Sequence, residues 1–435
     1  MKKKAALHNL GCKVNAYEME AMQQMLEEAG YETVPFAPGA DVYIINTCTV
    51  TSIADRKSRQ MLHKAKKMNP RAVVVAVGCY VQASKEELEA DEAVDLVIGN
   101  NRKKDIVKIL EEYEKSRAEE FVIDVNHTGE YENLSITRTA EHTRAYIKVQ
   151  DGCNQFCSYC IIPYVRGRVR SRRPEDVADE VRRLAENGYR EVVLTGIHLS
   201  SYGIDLGTSL LELIKAVHET EGIERIRLGS LEPRIITEEF ARELASLPKV
   251  CPHFHLSLQS GCDATLKRMN RRYTAEEYAE KCGLLRRYFD DPALTTDVIV
   301  GFPGETKEEF ETTRAFLEDL KLYETHIFKY SRRKGTRADA MPDQVSDEEK
   351  GERSAVLLAL NEKNREAFEN RRAGREDQVL FEEYVSLDGR DYYVGHTREY
   401  VKLAVLAEEN YANQILSVRV GEERRQGILV CSRQF

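Results

Sequence analysis

The chain has 435 residues, 42% hydrophobic and 31% charged, with 64 Lys and Arg against 73 Asp and Glu for a net charge of −9. That length allows two to four domains, and the acidic excess excludes a global attractive field for nucleic acid, so any RNA contact has to use local basic patches. No apolar run approaches the ~18 residues of a membrane span, and His8 and Asn9 interrupt any apolar region behind the basic start, so no signal peptide is expected. The ten cysteines of so long a chain do not read as a disulfide framework. Their grouping predicts metal ligation in a reducing compartment, the cytoplasm.

Residues 1–115 alternate strand and helix. Strands are predicted at 5–10, 43–46, 72–77 and 96–98, and helices at 16–28, 54–67, 85–90 and from 103. The unbroken apolar run at 72–77 suits a sheet buried on both faces, so this is an α/β domain with a doubly wound parallel sheet. Cys12, Cys48 and Cys79 each follow a predicted strand end by one to three residues. Carboxyl ends of parallel strands share one edge, so the three thiols are expected to converge. They read as ligands of an iron–sulfur cluster; the plainer alternative is three inert core thiols. Residues 116–143 form a polar connector with weak strand character at 121–125.

From residue 144 to 371 the rhythm resumes. Strands are predicted at 145–150, 191–195, 225–229, 253–258, 296–300 and 325–329, with helices at 175–187, 210–219, 237–247, 274–288 and 307–320. Six β/α units predict an incomplete (β/α)6 barrel with its chemistry at the carboxyl ends of the strands. After the first strand comes a C-x3-C-x2-C run, Cys153, Cys157 and Cys160. On a helix this spacing would spread the thiols over roughly 10 Å, but Gly152 and Asn154 favour a loop in which they can meet. Three thiolates suit a four-iron cluster with one iron left open for chemistry. A zinc site would want a fourth Cys or His nearby, and none lies between Tyr146 and Ile197. A charged helical segment at 343–372 leads to the tail, 372–435, where five short strands predict a small OB-like β-barrel. From 371 to 435 there are ten Lys and Arg against eleven Asp and Glu, so this barrel is either an RNA-binding or a packing module.

Several motifs carry a resemblance. They are Leu10-Gly-Cys12-Lys-Val-Asn15, the Cys153–Cys160 loop with aromatic Tyr159 before its last cysteine, and Ile162-Pro-Tyr-Val-Arg166-Gly-Arg168. His255-Leu-Ser-Leu-Gln259 and Asp297-Val-Ile-Val-Gly301-Phe-Pro-Gly-Glu305 complete the set. In this order they resemble the methylthiotransferases of the radical S-adenosylmethionine (SAM) superfamily, whose terminal domain, named TRAM, the tail is similar to. The resemblance implies two 4Fe-4S clusters, on Cys12, Cys48 and Cys79 and on Cys153, Cys157 and Cys160. It implies SAM as both methyl donor and radical source, an electron donor for cluster reduction, and an active site between the first two domains. It places SAM near Tyr159, Thr195, Gly196, Glu232, Gln259, Asp297, Gly301 and Tyr330. Cys251, Cys262, Cys282 and Cys431 are expected to be spectators.

Arg166, Arg168, Arg170, Arg172 and Arg173 read as a phosphate-binding patch at the mouth of the site, with a second basic stretch at 56–67. Basic residues at 332–334, where relatives often carry prolines, are a further candidate. The Leu-Gly-Cys-Lys-Val-Asn form resembles the branch that acts on N6-threonylcarbamoyladenosine at position 37, next to the anticodon of tRNA, and Lys13 is a candidate reader of that group's carboxylate. The alternatives are the branches acting on isopentenyladenosine tRNA or on a ribosomal-protein aspartate, and, outside catalysis, a zinc-stabilised RNA-binding protein.

Overall fold

The computed structural model describes residues 2–116, 121–126, 128–139 and 143–434; parts of the connector, 117–120, 127 and 140–142, lie outside the described residues. The first sheet holds β1 (Lys4–Asn9), β2 (Glu32–Val34), β3 (Val42–Thr47), β4 (Val73–Gly78) and β5 (Leu96–Ile98). Its order is β2-β1-β3-β4-β5 and every pair is parallel. Strand β3 is buried throughout because its side chains feed two cores. Val42 and Ile44 pack on one face, Tyr43 and Ile45 on the other. The edge strand β2 escapes sequence reading because it is only three residues long and carries no alternation. Helix α1 (Lys13–Glu28) starts directly after Cys12, and α2 (Ser52–Met68) is capped by Thr51, whose hydroxyl accepts from the Ala54 N–H. The chain leaves β1 in one direction for β2 and returns on its other side as β3. A crevice opens beyond the carboxyl ends at such a switch point.

The central strands are β6 (Ala145–Asp151), the two-residue antiparallel β7 (Arg170–Ser171), β8 (Glu191–Gly196), β9 (Arg225–Leu228), β10 (His253–His255), β11 (Ala293–Val300) and β12 (Glu324–Lys329). Pairings β6-β8-β9 and β10-β11-β12 are parallel, and the bridges Ile226↔Val250 and Leu231↔Leu256 connect the two groups. This is the six-unit curved parallel sheet that the sequence predicts. Alternation sorts its faces. Ile147, Val192, Leu194, Ile226, Phe254 and Leu294 pack toward the helices, whereas Lys148, Glu191, Arg227, His255 and Asp297 stand at alternate positions on the inner face.

The tail strands β13 (Glu376–Leu387), β14 (Arg390–His396), β15 (Lys402–Leu406), β16 (Ile415–Arg425) and β17 (Ile428–Arg433) close a barrel in the order β13-β14-β15-β17-β16. The three bodies are fastened together. Tyr17 and Ala21 of α1 belong to the core of the central sheet, and the Tyr17 hydroxyl donates to the Leu134 carbonyl at 2.6 Å. Arg225 donates to the carbonyls of His396 and Gln378 in the tail barrel, at 2.9 and 2.7 Å.

Candidate active site

The Cys153–Cys160 segment is a loop. Gly152 has φ +70°, and a Cβ there would lie 1.8 Å from the Arg168 carbonyl oxygen, so only glycine lets the chain turn out of β6 at this point. Residues 268–271 hold the loop from outside. Ser158 N–H donates to the Met269 carbonyl at 3.0 Å, the Ser158 hydroxyl to the Arg268 carbonyl at 2.8 Å, and Asn270 Nδ2 to the Phe156 carbonyl at 2.9 Å. Arg271 Nη1 donates to Cys157 Sγ at 3.3 Å, and its Nε to the Tyr273 hydroxyl at 2.9 Å. Arg271 carries no motif that sequence reading could have used. Behind the loop Tyr159, Phe302 and Tyr330 pack edge to face, at 6.4 and 5.3 Å between ring centroids.

Cys12 follows β1, Cys48 follows β3 and Cys79 follows β4, so the switch point brings them to one edge. Gly11, at φ +110°, makes the approach possible, because a Cβ there would meet Cys48 Cβ at 2.9 Å and Sγ at 3.0 Å. Asn100 Nδ2 lies 3.8 Å from Cys79 Sγ.

Neither thiol set is drawn together as a single tetrahedral ion would draw it, which leaves room for a larger group. A tetrahedral zinc would draw its sulfurs to about 3.8 Å of one another. Among the described residues the only His, Cys, Asp and Glu group with ligand atoms all within 4.8 Å is His255, Asp297 and His326, so neither thiol set is closed on one ion. Burial pushes the Cys48 and Cys153 thiols up to about 11 and Cys160 to about 12. Loading with metal therefore has to displace protons.

Between the two sites lies a buried charge network that corrects the arginine reading. Arg166 is fully buried. Its Nε donates to Cys79 Sγ at 3.1 Å, Nη1 to Glu18 at 2.8 Å and Asp151 at 3.2 Å, and Nη2 to Asn15 at 2.8 Å. Lys148 bridges Glu18 and Asp151 at 2.8 and 2.6 Å, and Lys103 reaches Glu18 at 3.2 Å. Arg170 is buried near Asp151, 3.8 Å away, and Arg172 is buried against Glu180 and Tyr17. Arg166, Arg170 and Arg172 are thus internal counter-charges out of reach of a phosphate, because carboxylates from three separate elements enclose them. Only Arg168 and Arg173 of the five are exposed. Burial alone would raise Glu18, but Arg166, Lys103 and Lys148 outweigh it and hold the carboxyl well below the usual range. Of the basic residues at 332–334, Arg333 is likewise buried, paired with Asp55 and Thr49 of the first domain.

The residues expected near SAM lie along the strand ends. Thr195 and Gly196 close β8, and buried Glu232 pairs with Arg234 at 2.7 Å. Gln259 has φ 75°, donates its N–H to the Asp297 carbonyl at 2.8 Å and accepts from Ile299 at 2.9 Å. The Asp297 carboxylate faces His255 Nε2 at 3.2 Å. Gly301, at φ +68°, leaves no room for a Cβ beside Lys350 Cγ, 2.3 Å away. Tyr330 sits in the apolar cluster behind the loop with Tyr159, so its ring is packed against protein.

Lys13, next to Cys12, is exposed and makes no ion pair among the described residues. Its side chain is open to solvent on one side, but the protein crowded around the ammonium on the other, and then Arg144 and Arg227 of the central sheet, pull it down to about 8.

Comparison with known proteins agrees with this geometry. Residues 147–317 match the radical SAM superfamily, and residues 4–99 match a family described as uncharacterized protein family UPF0004. The threonylcarbamoyladenosine tRNA methylthiotransferase of Bacillus subtilis is 40% identical over 419 residues, 95% of this chain and 93% of that protein. The tRNA-2-methylthio-N(6)-dimethylallyladenosine synthase of Acetivibrio thermocellus is 36% identical, covering 96% of this chain and 88% of its own. Among solved structures, the radical SAM methyltransferase TsrM of Kitasatospora setae shares the fold, with a TM-score of 0.60 at 15% identity over 78% of this chain and 74% of that one. With both cysteine sets on adjoining sheet edges and relatives of this identity along nearly the whole length, the chain belongs to the tRNA methylthiotransferases of the radical SAM superfamily.

Proposed function

We propose that this enzyme converts N6-threonylcarbamoyladenosine at position 37 of tRNA to its 2-methylthio derivative, in the cytoplasm and with a low-potential electron donor. The observation that carries the substrate is Lys13, an ammonium without an ion-pair partner among the described residues, placed at the Cys12 turn within the field of Arg144 and Arg227. The threonylcarbamoyl group ends in a carboxylate, which such a cation binds; an isopentenyl group offers it nothing. The names of the most similar relatives support the same substrate.

Cys153, Cys157 and Cys160 hold one four-iron cluster, and Cys12, Cys48 and Cys79 hold a second. When bound there, SAM and the first cluster supply the radical needed to take hydrogen from an aromatic carbon, which no protein acid or base can remove. The chain's own residues do the rest. Arg271 and segment 268–270 fix the loop, the inner-face residues Thr195, Glu232, Gln259 and Asp297 line the SAM end, and Arg168, Arg173 and the exposed Arg56, Lys57, Lys64 and Lys67 of α2 meet loop phosphates. An anticodon loop presents unstacked bases, so the adenine can enter without opening a duplex.

The test offers reconstituted enzyme two tRNAs, one with threonylcarbamoyladenosine and one with isopentenyladenosine, and reads nucleosides by mass spectrometry. Methylthio product on the first is expected. Product on the second alone assigns the substrate named for the Acetivibrio relative, and colourless protein holding zinc sinks the catalytic reading.

A further inference from the structure

The buried network between the two cysteine sites is not balanced. Lys103, Lys148, Arg166 and Arg170 are four cations, and Glu18 and Asp151 are the two carboxylates they pair with, which leaves two positive charges in surplus. All six residues are at most 1% exposed. Arg170 keeps Nε and Nη1 without a hydrogen-bond partner among the described residues. An uncompensated charge at this depth is strongly destabilising unless an anion neutralises it. The network meets the first domain at one sulfur, where Arg166 Nε donates to Cys79 Sγ at 3.1 Å, while Lys103 Nζ donates to Asn100 Oδ1 at 2.6 Å and Asn100 in turn faces the same sulfur. At its other end Asp151 immediately precedes Gly152 and Cys153, and its carboxylate accepts from the Gly152 N–H at 2.8 Å.

We infer that this network is the counter-charge of the iron–sulfur cluster on Cys12, Cys48 and Cys79, and that Arg166 tunes that cluster's reduction potential upward through Cys79. The inference rests on the reading that those three cysteines hold a cluster. A four-iron core with three thiolates gains one further negative charge when it accepts an electron, so fixed buried cations favour the reduced form. Hydrogen bonds to the sulfurs and local charge are among the levers that set such potentials. Arg166 comes from the central domain, so the potential in the first domain depends on how the two domains are docked. Arg166 is a positioning and tuning residue; it reaches the reacting atoms only through Cys79.

The test uses the full chain with Cys153, Cys157 and Cys160 replaced by Ala, so that only the first-domain cluster remains. The electron paramagnetic resonance signal of the reduced cluster is followed against applied potential, with photoreduced deazaflavin as electron source. Arg166→Gln is expected to lower the ratio of reduced to oxidised cluster at fixed potential at least tenfold, which for one electron is about 59 mV downward. Arg166→Lys keeps the charge and is expected to restore most of that shift. Lys103→Met removes a surplus charge while Glu18 keeps Arg166 and Lys148, and is expected to shift the potential in the same direction by less. If Arg166→Gln loses its iron, Lys103→Met alone decides, and an unmoved potential there overturns the inference. A full iron complement with unchanged potential in Arg166→Gln overturns it too. A parent protein that binds no iron overturns the cluster reading, and this inference with it.

Discussion

Arg271 and Arg166 show what a single guanidinium does at a thiol. Each donates to one cysteine sulfur, Cys157 at 3.3 Å and Cys79 at 3.1 Å, and each is held by further partners. Arg271→Gln is expected to leave the iron content near normal and to slow reductive SAM cleavage roughly tenfold or more, as a misplaced loop does; 5′-deoxyadenosine released per cluster measures it. Replacing Cys153, Cys157 and Cys160 by Ala is expected to abolish that cleavage, whereas replacing Cys12, Cys48 and Cys79 is expected to spare it and abolish sulfur insertion. Lys13→Gln is expected to raise KM for threonylcarbamoyladenosine tRNA about tenfold or more, the loss of one charge-assisted contact, with cleavage of SAM unaltered.

At the level of elements, strand β13 enters the tail barrel with an acid in an unfavourable place. Asp377 is pushed up to about 6, first by burial and then by Glu399, although Arg372 is near. An aspartate that ionises near 6 when folded and near 4 when unfolded opposes folding above both values, and the opposition fades as pH falls from about 6 to about 4. Asp377→Asn is therefore expected to stabilise the protein at pH 7 by about 3 kcal/mol and by well under about 1 kcal/mol at pH 4, read from denaturant midpoints at the two pH values. The elements themselves were largely readable, since the period of two in β6 and the apolar runs of β4 and β8 are local patterns. The three-residue β2 and two-residue β7 were not, because each owes its existence to the neighbour it pairs with.

On the scale of the molecule, the tail barrel is locked to the central sheet by arginines and by Tyr400, whose ring stacks on His253 at 5.0 Å and lies under Arg144 and Arg227. Arg225→Met removes the donors to the His396 and Gln378 carbonyls, at a cost of about 2 kcal/mol for acceptors left dry. The expected result is a tail barrel that melts before the rest, seen as a second calorimetric transition and as earlier proteolytic cleavage near residue 371. Glu191 keeps Arg227 at 2.8 Å in that variant, so the central core is spared.

The amino-acid sequence by itself determined the order of strands and helices, the loop that gathers Cys153, Cys157 and Cys160, and the edge that gathers Cys12, Cys48 and Cys79. Spacing, turn glycines and hydrophobic period are short-range properties, and strand ends in a parallel sheet converge whatever the side chains beyond them. Which arginines face RNA was decided only by the tertiary structure. Arg166, Arg170 and Arg172 look like a basic patch along the chain, but their partners Glu18, Asp151 and Glu180 come from α1, from the end of β6 and from the helix Pro174–Glu186. A charge is buried or exposed according to what packs over it, and here that covering arrives from elements well over a hundred residues away as well as from near neighbours.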